Sequence, residues 1–214
     1  MKVFFNISAF ALIASVSFPS FAQSAFTMPA QSLNQLTLSG FSTETDLDGG
    51  SKQNAFDGGG ARAELQLQWQ NDWYVGVSGQ FSEVSHNNID MLTDQMSLRL
   101  GTQHFLSANT RLFSELFIQR LTVEVDDGTT RTEDQETGPG IELGIEHQTQ
   151  TQLTLFASAS YSRLTRDVRY WQTELGAFYM MNPRTALGVS YQRRTASDTD
   201  YRQDNYLLNL RFWF

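Results

Sequence analysis

Ser85, His86 and Asp90 carry the residue types of a nucleophilic triad and lie close together in the chain. Neighbours in an extended segment point to opposite faces, so Ser85 and His86 are not placed for direct contact. The remaining histidines, His104 and His147, are too scattered for a short-spaced metal motif. Asp46-x-Asp48-Gly-Gly has the opening of a calcium turn but lacks the later ligand positions of an EF-hand loop. With no cysteine there is no thiol nucleophile, disulfide framework or thiolate metal site. The glycine-rich nucleotide loops and the G-x-S-x-G elbow are also absent. No cofactor or metal site is implied, and no enzyme is expected. A formal charge of −8 over 214 residues argues against nucleic acid, which is held by basic surfaces.

A different set of charges shares a pattern instead. Arg62, Arg99, Arg111, Arg194 and Arg211, with Glu64, Glu115, Glu142, Glu146 and Glu174, all fall on the polar face of segments that alternate with period 2. Leu65 and Leu67 alternate with Glu64 and Gln66. Leu98 and Leu100 flank Arg99, and Leu143 and Ile145 alternate with Glu142 and Glu146. An amphipathic helix would place apolar residues at i, i+3 and i+4, and these segments do not.

The elements that carry those charges are ten segments of about ten residues, the length at which a tilted strand crosses a bilayer. They occupy 33–43, 61–70, 73–82, 95–103, 110–119, 140–148, 152–162, 170–181, 185–194 and 206–214. The first is the least regular, and losing a hairpin would leave eight. Tight turn sequences at 71–72, 149–151 and 182–184, and a link at 104–109, alternate with polar loops at 44–60, 83–94, 126–138, near Arg166, and at 195–204. Short and long links alternate in this way in outer-membrane barrels. The third loop is the most acidic, with Glu124, Asp126, Asp127, Glu133, Asp134 and Glu136.

Residues 1–22 read as a secretory signal peptide. Lys2 supplies the basic start, 4–18 are mostly apolar, and Ser20-Phe21-Ala22 is a small-x-small cleavage site. Residues 23–32 are then a periplasmic N-terminal segment and 33–214 the barrel. At the other end Tyr206, Leu208, Leu210, Phe212 and Phe214 alternate up to the last residue. This resembles the C-terminal assembly signal of bacterial outer-membrane barrels. The chain as a whole resembles the small Gram-negative outer-membrane β-barrel proteins of opacity-like or OmpX-like architecture. That resemblance implies an all-β, up-and-down, antiparallel transmembrane barrel in the cell envelope, with outer-membrane lipids, lipopolysaccharide and the barrel-assembly machinery as partners. An extracellular partner would be met through the loops.

On that reading aromatic residues form belts. Trp69 and Trp73 are expected as cross-strand neighbours at the inner level, with Tyr179, Phe212 and Phe214. Phe81, Tyr161, Trp171 and Tyr191 mark the outer level. Tyr74, Phe113, Phe117, Phe156 and Tyr170 point inward and narrow the bore. Arg120, Arg163, Arg166, Arg169 and Arg193 fall near the outer rim, where they would meet lipid phosphates or snorkel. The ten inward charges are expected to pair, with Arg99 close to Glu115, because unpaired buried charges are costly. Three functions follow in order: a structural or surface-interaction barrel with a charge-plugged lumen, a narrow or gated porin-like channel, and a lipid-modifying enzyme or protease. The third is weakest. Omptin-type proteases use an Asp-x-His element and lipid A deacylases a histidine near the C-terminus, and this chain has neither.

Overall fold

Outside water, every backbone N–H and C=O of a spanning segment needs a partner, and strands find them all only by closing a ring. The computed structural model does this with ten strands. It describes residues 34–46, 55–70, 72–86, 89–149, 152–165, 168–197 and 201–214. The proposed signal peptide and the segment at 23–32 lie outside the described residues, as do Leu33, Asp48, Asn71 and Arg166. The strands are β1 (Gln35–Asp46), β2 (Ala55–Gln70), β3 (Trp73–His86), β4 (Ile89–Ser107), β5 (Thr110–Asp126), β6 (Arg131–Gln148), β7 (Leu153–Arg163), β8 (Arg169–Asn182), β9 (Thr185–Ala196) and β10 (Arg202–Trp213). Each pairs antiparallel with its sequence neighbours. β1 closes on β10 from Gln35 opposite Trp213 to Asp46 opposite Arg202. Among the described residues no helix is long and apolar enough to cross a membrane.

The alternation sets the two faces. Leu98, Leu116 and Val189 are 66%, 62% and 61% exposed, and they point out of the barrel. A continuous apolar outer wall of this kind is what a barrel presents to lipid. Tight turns lie at the end where β1 begins and β10 finishes. At one of them Asn182 Oδ1 accepts from the Arg184 N–H at 2.8 Å.

The far end departs from the loop assignments. Pairing of β3 with β4 continues to His86 opposite Ile89, and of β5 with β6 to Asp126 opposite Arg131. Most of 83–94 and 126–138, and parts of 44–60 and 195–204, are therefore strand rather than loop. Beyond the lipid the outward positions no longer need to be apolar, so the period-2 signal fades while the backbone ladder continues. β5 and β6 are joined by a turn in which Gly128 has φ +81°, and Asp127 accepts from Thr129 Oγ1 at 2.7 Å, Thr129 N at 2.9 Å and Thr130 N at 2.7 Å. These donors, the Thr129 hydroxyl foremost, hold the Asp127 carboxyl below its usual range. At the tight-turn end the register shifts between Gln68 and Gln70, so Trp73 pairs with Gln70 and not with Trp69. Both tryptophans still face outward.

Inside, aromatic rings lie over glycines on the next strand. Tyr74 faces Gly101, Phe117 faces Gly140, Phe113 faces Gly144, Phe156 faces Gly176 and Phe178 faces Gly188. A Cβ at Gly144 would sit 2.1 Å from Phe113 Cζ, whereas one at Gly79 would meet nothing within 4 Å. Gly144→Ala is therefore expected to destabilise by about 1–3 kcal/mol through overpacking. Gly79→Ala is expected to be neutral or stabilising. Urea unfolding in lipid vesicles checks the pair, and equal stability of the two variants would show that the ring does not need the glycine.

Candidate functional site: the charged lumen

All ten charged residues of the period-2 pattern point into the barrel. Nine of them converge on one level. Arg62 on β2 donates from Nη2 to Glu64 at 2.6 Å and reaches across the bore to Glu174 on β8 at 3.0 Å. Arg99 on β4 donates from Nη1 to Glu115 at 2.8 Å and to Glu142 at 3.0 Å. Those two glutamates sit directly opposite each other on β5 and β6. Two like charges at such a pair repel, and the shared guanidinium offsets that repulsion. Tyr74 adds a hydrogen bond from its hydroxyl to Glu115 at 2.8 Å. Glu146 on β6 accepts from Arg111 at 2.6 Å and from Arg211 on β10 at 3.0 Å. The Arg211 guanidinium also lies 3.9 Å from the centre of the Phe178 ring.

Arg194 departs from the expected pairing. It is 6% exposed, and among the described residues it has no carboxylate partner. It donates instead to Gln172 at 2.8 Å and to Gln95 on the opposite wall at 2.5 Å. Its level is built of glutamines, so its charge is met by amide dipoles.

One cavity of about 70 Å³ lies among the nine ion-paired residues, and a separate one of about 10 Å³ lies beside Arg194. Apolar clusters lie inside at both ends. Phe178, Met180 and Ala186 pack with Phe156 and Trp213 near the tight turns. Phe56, Val84 and Met91 pack with Ile89, Val123 and Val125 at the far end.

Sequence reasoning missed those end clusters and a neutral polar network on the same face. Gln35 bonds Gln66, Ser39 bonds Asn209 at 2.6 Å, and Asn205 bonds Gln192 at 2.8 Å. Their shared parity with the charged residues was the available signal. The triad residue types do not converge. Ser85 is exposed on the outer face, while His86 points inward against Phe56 with ring centres 5.4 Å apart. Asp90 sits opposite Ser85 on β4, also outward and exposed. His104 lies within β4 and not in a link, and His147 ends β6 with Nδ1 2.8 Å from Thr110 Oγ1. Among the described residues no cluster of three or more potential ligands could hold a metal ion. Tyr206 and Leu208 on β10 and the terminal Phe214 face outward, so the alternating C-terminal residues lie on the wall of the strand that closes the ring.

A closed ring of ten strands with an apolar outer wall and an ion-paired interior narrows the comparison to one class of protein. The sequence matches the outer membrane protein beta-barrel domain over residues 8–173, more than half of the chain. The chain belongs to the outer membrane protein beta-barrel domain family. No curated protein matches it in sequence. Among solved structures it is similar to the translocator domain of the autotransporter NalP from Neisseria meningitidis, with a TM-score of 0.50 and 11% identity over 87% of this chain and 91% of that one. It is also similar to the Neisserial surface protein A, with a TM-score of 0.49 and 10% identity over 84% of this chain and 96% of that one. At such identities the likeness is one of fold. Membership of the family places this barrel in the bacterial outer membrane.

Proposed function

We propose that this outer-membrane barrel is a non-conducting scaffold that works through its outer surface and its far end, with the lumen plugged by its own charges. The observation that carries this reading is the contact of opposite walls. Arg62 on β2 meets Glu174 on β8, and Arg211 on β10 meets Glu146 on β6, leaving only about 70 Å³ among them. A wider barrel would leave a water-filled bore, whereas one near this strand number is filled by its side chains. The ion pairs hold the arginines and glutamates in place, because freeing either partner leaves an uncompensated buried charge. On this reading residues 1–22 direct export and are removed. Tyr206, Leu208, Leu210, Phe212 and Phe214 are read by the barrel-assembly machinery, and the far end faces the exterior, where a partner is met. The barrel carries out no catalysis of its own, since His86 points inward while Ser85 and Asp90 lie on the outer face.

Liposome swelling tests the plug. Vesicles holding the folded protein are expected to swell in small sugars no faster than empty vesicles. Swelling that falls as sugar size rises would make the porin-like reading the correct one.

A further inference from the structure

One seam of the barrel wall opens before its top. β6 pairs with β5 as far up as Arg131, but with β7 only from Gln148 to Gly140. Pro139 ends the second ladder. At the foot of β6 the Gln148 N–H donates to Asn109 on the β5 side at 2.8 Å, and the Thr149 N–H donates to Leu153 on the β7 side at 2.9 Å. Backbone groups alternate sides along a strand, so even residues of β6 bond β5 and odd residues face β7. Pro139 is odd. The N–H it lacks is one that β7 would have used, and its place opposite Ile118 on β5 is kept. It stands one outward step above Ile141, whose neighbour on β7 is Tyr161 of the outer aromatic belt. There β7 folds inward. A Cβ on Gly138 would run into the Arg163 carbonyl, and Leu164 is buried. The last bond across the seam runs from the Thr137 N–H to Thr165 Oγ1 at 3.4 Å. Among the described residues no strand pairs with the open side of the odd positions above it, Gln135, Glu133 and Arg131.

An open edge is a template for one more strand, and proteins guard such edges with charge. Here the guard has almost one sign. Between 122 and 138 there are six acids and one arginine, Arg131, which bonds Glu124. Glu133 and Gln135 are exposed on the outer face of the edge, while Asp134 and Glu136 share the inner face with Glu142 by parity. The arginines nearby, Arg120 opposite Thr137 and Arg163 beside Gly138, lie below the open positions. A second copy of the chain would bring the same acids against these, so self-pairing is disfavoured. A cationic strand meets the backbone groups and the acids together. We infer that the upper edge of β6, over 131–135, adds an extended lysine- or arginine-rich segment of a partner protein as a further strand. Main-chain bonds to Gln135, Glu133 and Arg131 supply affinity, and the acids on the two faces select basic side chains. The inference rests on the reading that the far end is where a partner is met.

The test uses the folded protein in uncharged detergent micelles. The probe is a fluorescent peptide of alternating lysine and valine, about ten residues long to match a strand, and its binding is read by anisotropy. Heat modifiability confirms that each variant is folded. Gln135→Pro removes an N–H on the open side, as Pro139 does lower down, and leaves the ladder to β5 intact. It is expected to weaken binding by at least about tenfold. Glu133→Lys is expected to weaken it as well, and Asp94→Asn, at an exposed acid on β4, to leave it unchanged. The same peptide methylated at every backbone nitrogen keeps its charge but cannot extend a ladder, and should bind the wild type no better than the plain peptide binds Gln135→Pro. No binding by the wild type, or equal binding by Gln135→Pro, would overturn the site. Equal binding of the methylated peptide would overturn strand addition, and equal binding of a serine–valine peptide would overturn the cationic assignment. A wild-type dimer that Gln135→Pro dissociates would give the edge to a second copy instead. Binding in micelles depends neither on the direction of insertion nor on conduction, so its failure leaves the plugged lumen to be judged by the swelling assay alone.

Discussion

Glu146→Ala should lower the stability of the barrel by about 3–5 kcal/mol, the loss found when one partner of a buried ion pair is removed. Glu146 is 5% exposed and is the shared acceptor for Arg111 and Arg211, so its removal strands two guanidiniums at once. Arg211 is already short of partners, because its Nε is buried without one. The side chain of Arg111 can turn to Gln103, which it already meets at 3.1 Å, and this sets the lower end of the range. Adding Arg111→Met to Glu146→Ala should recover part of the loss, since an apolar side chain of similar length leaves no stranded charge there. Reversible urea unfolding in lipid vesicles measures both. A loss below about 1 kcal/mol would mean that Glu146 sits in bulk-like water, where ion pairs count for little.

Leu98→Arg should impair insertion by about 2–4 kcal/mol, the cost of an arginine facing lipid near the bilayer midplane. Leu98 is an exposed outward residue paired with Val77 on β3 and Ile118 on β5, with apolar neighbours on both sides. Gln68→Arg places the same charge at an inward position near the tight-turn mouth and should cost much less. The fraction folded in vesicles, read by the heat-dependent gel shift, compares them. Similar folding of the two variants would contradict the assignment of inner and outer faces.

The alternation in β3 to β10 was readable from the residues alone because the bilayer demands an apolar outer wall of fixed height. Leu98, Leu116 and Leu143 stand out for that reason, and the charged residues between them fall on the lumen face by parity. The upper strand ends were not readable for the complementary reason. Ser85 and Asp90 face water on the outer wall, so nothing in their hydropathy distinguishes a paired strand from a loop. The same loss of signal hid the inward cluster of Phe56, Val84 and Met91 at a level where the sequence shows mainly acids. Arg194 was legible as an inward residue but not in its partners. Whether an arginine meets a glutamate or a glutamine depends on the register across the bore, from β9 to β4, and no local pattern encodes that. The glycines opposite Phe113 and Phe117 read locally as weak strand residues, and their use appears only once the neighbouring strand is in register.

Single-channel recording in a planar bilayer tests the closed lumen most directly. Folded, heat-modifiable wild-type protein is expected to give no steady openings. Arg62→Ala, which removes the contact between β2 and β8, is expected to give small or flickering currents in the same membrane. Stable openings of the wild type, altered in size by Arg62→Ala, would show that ions pass the charged layer and that the lumen is a pore.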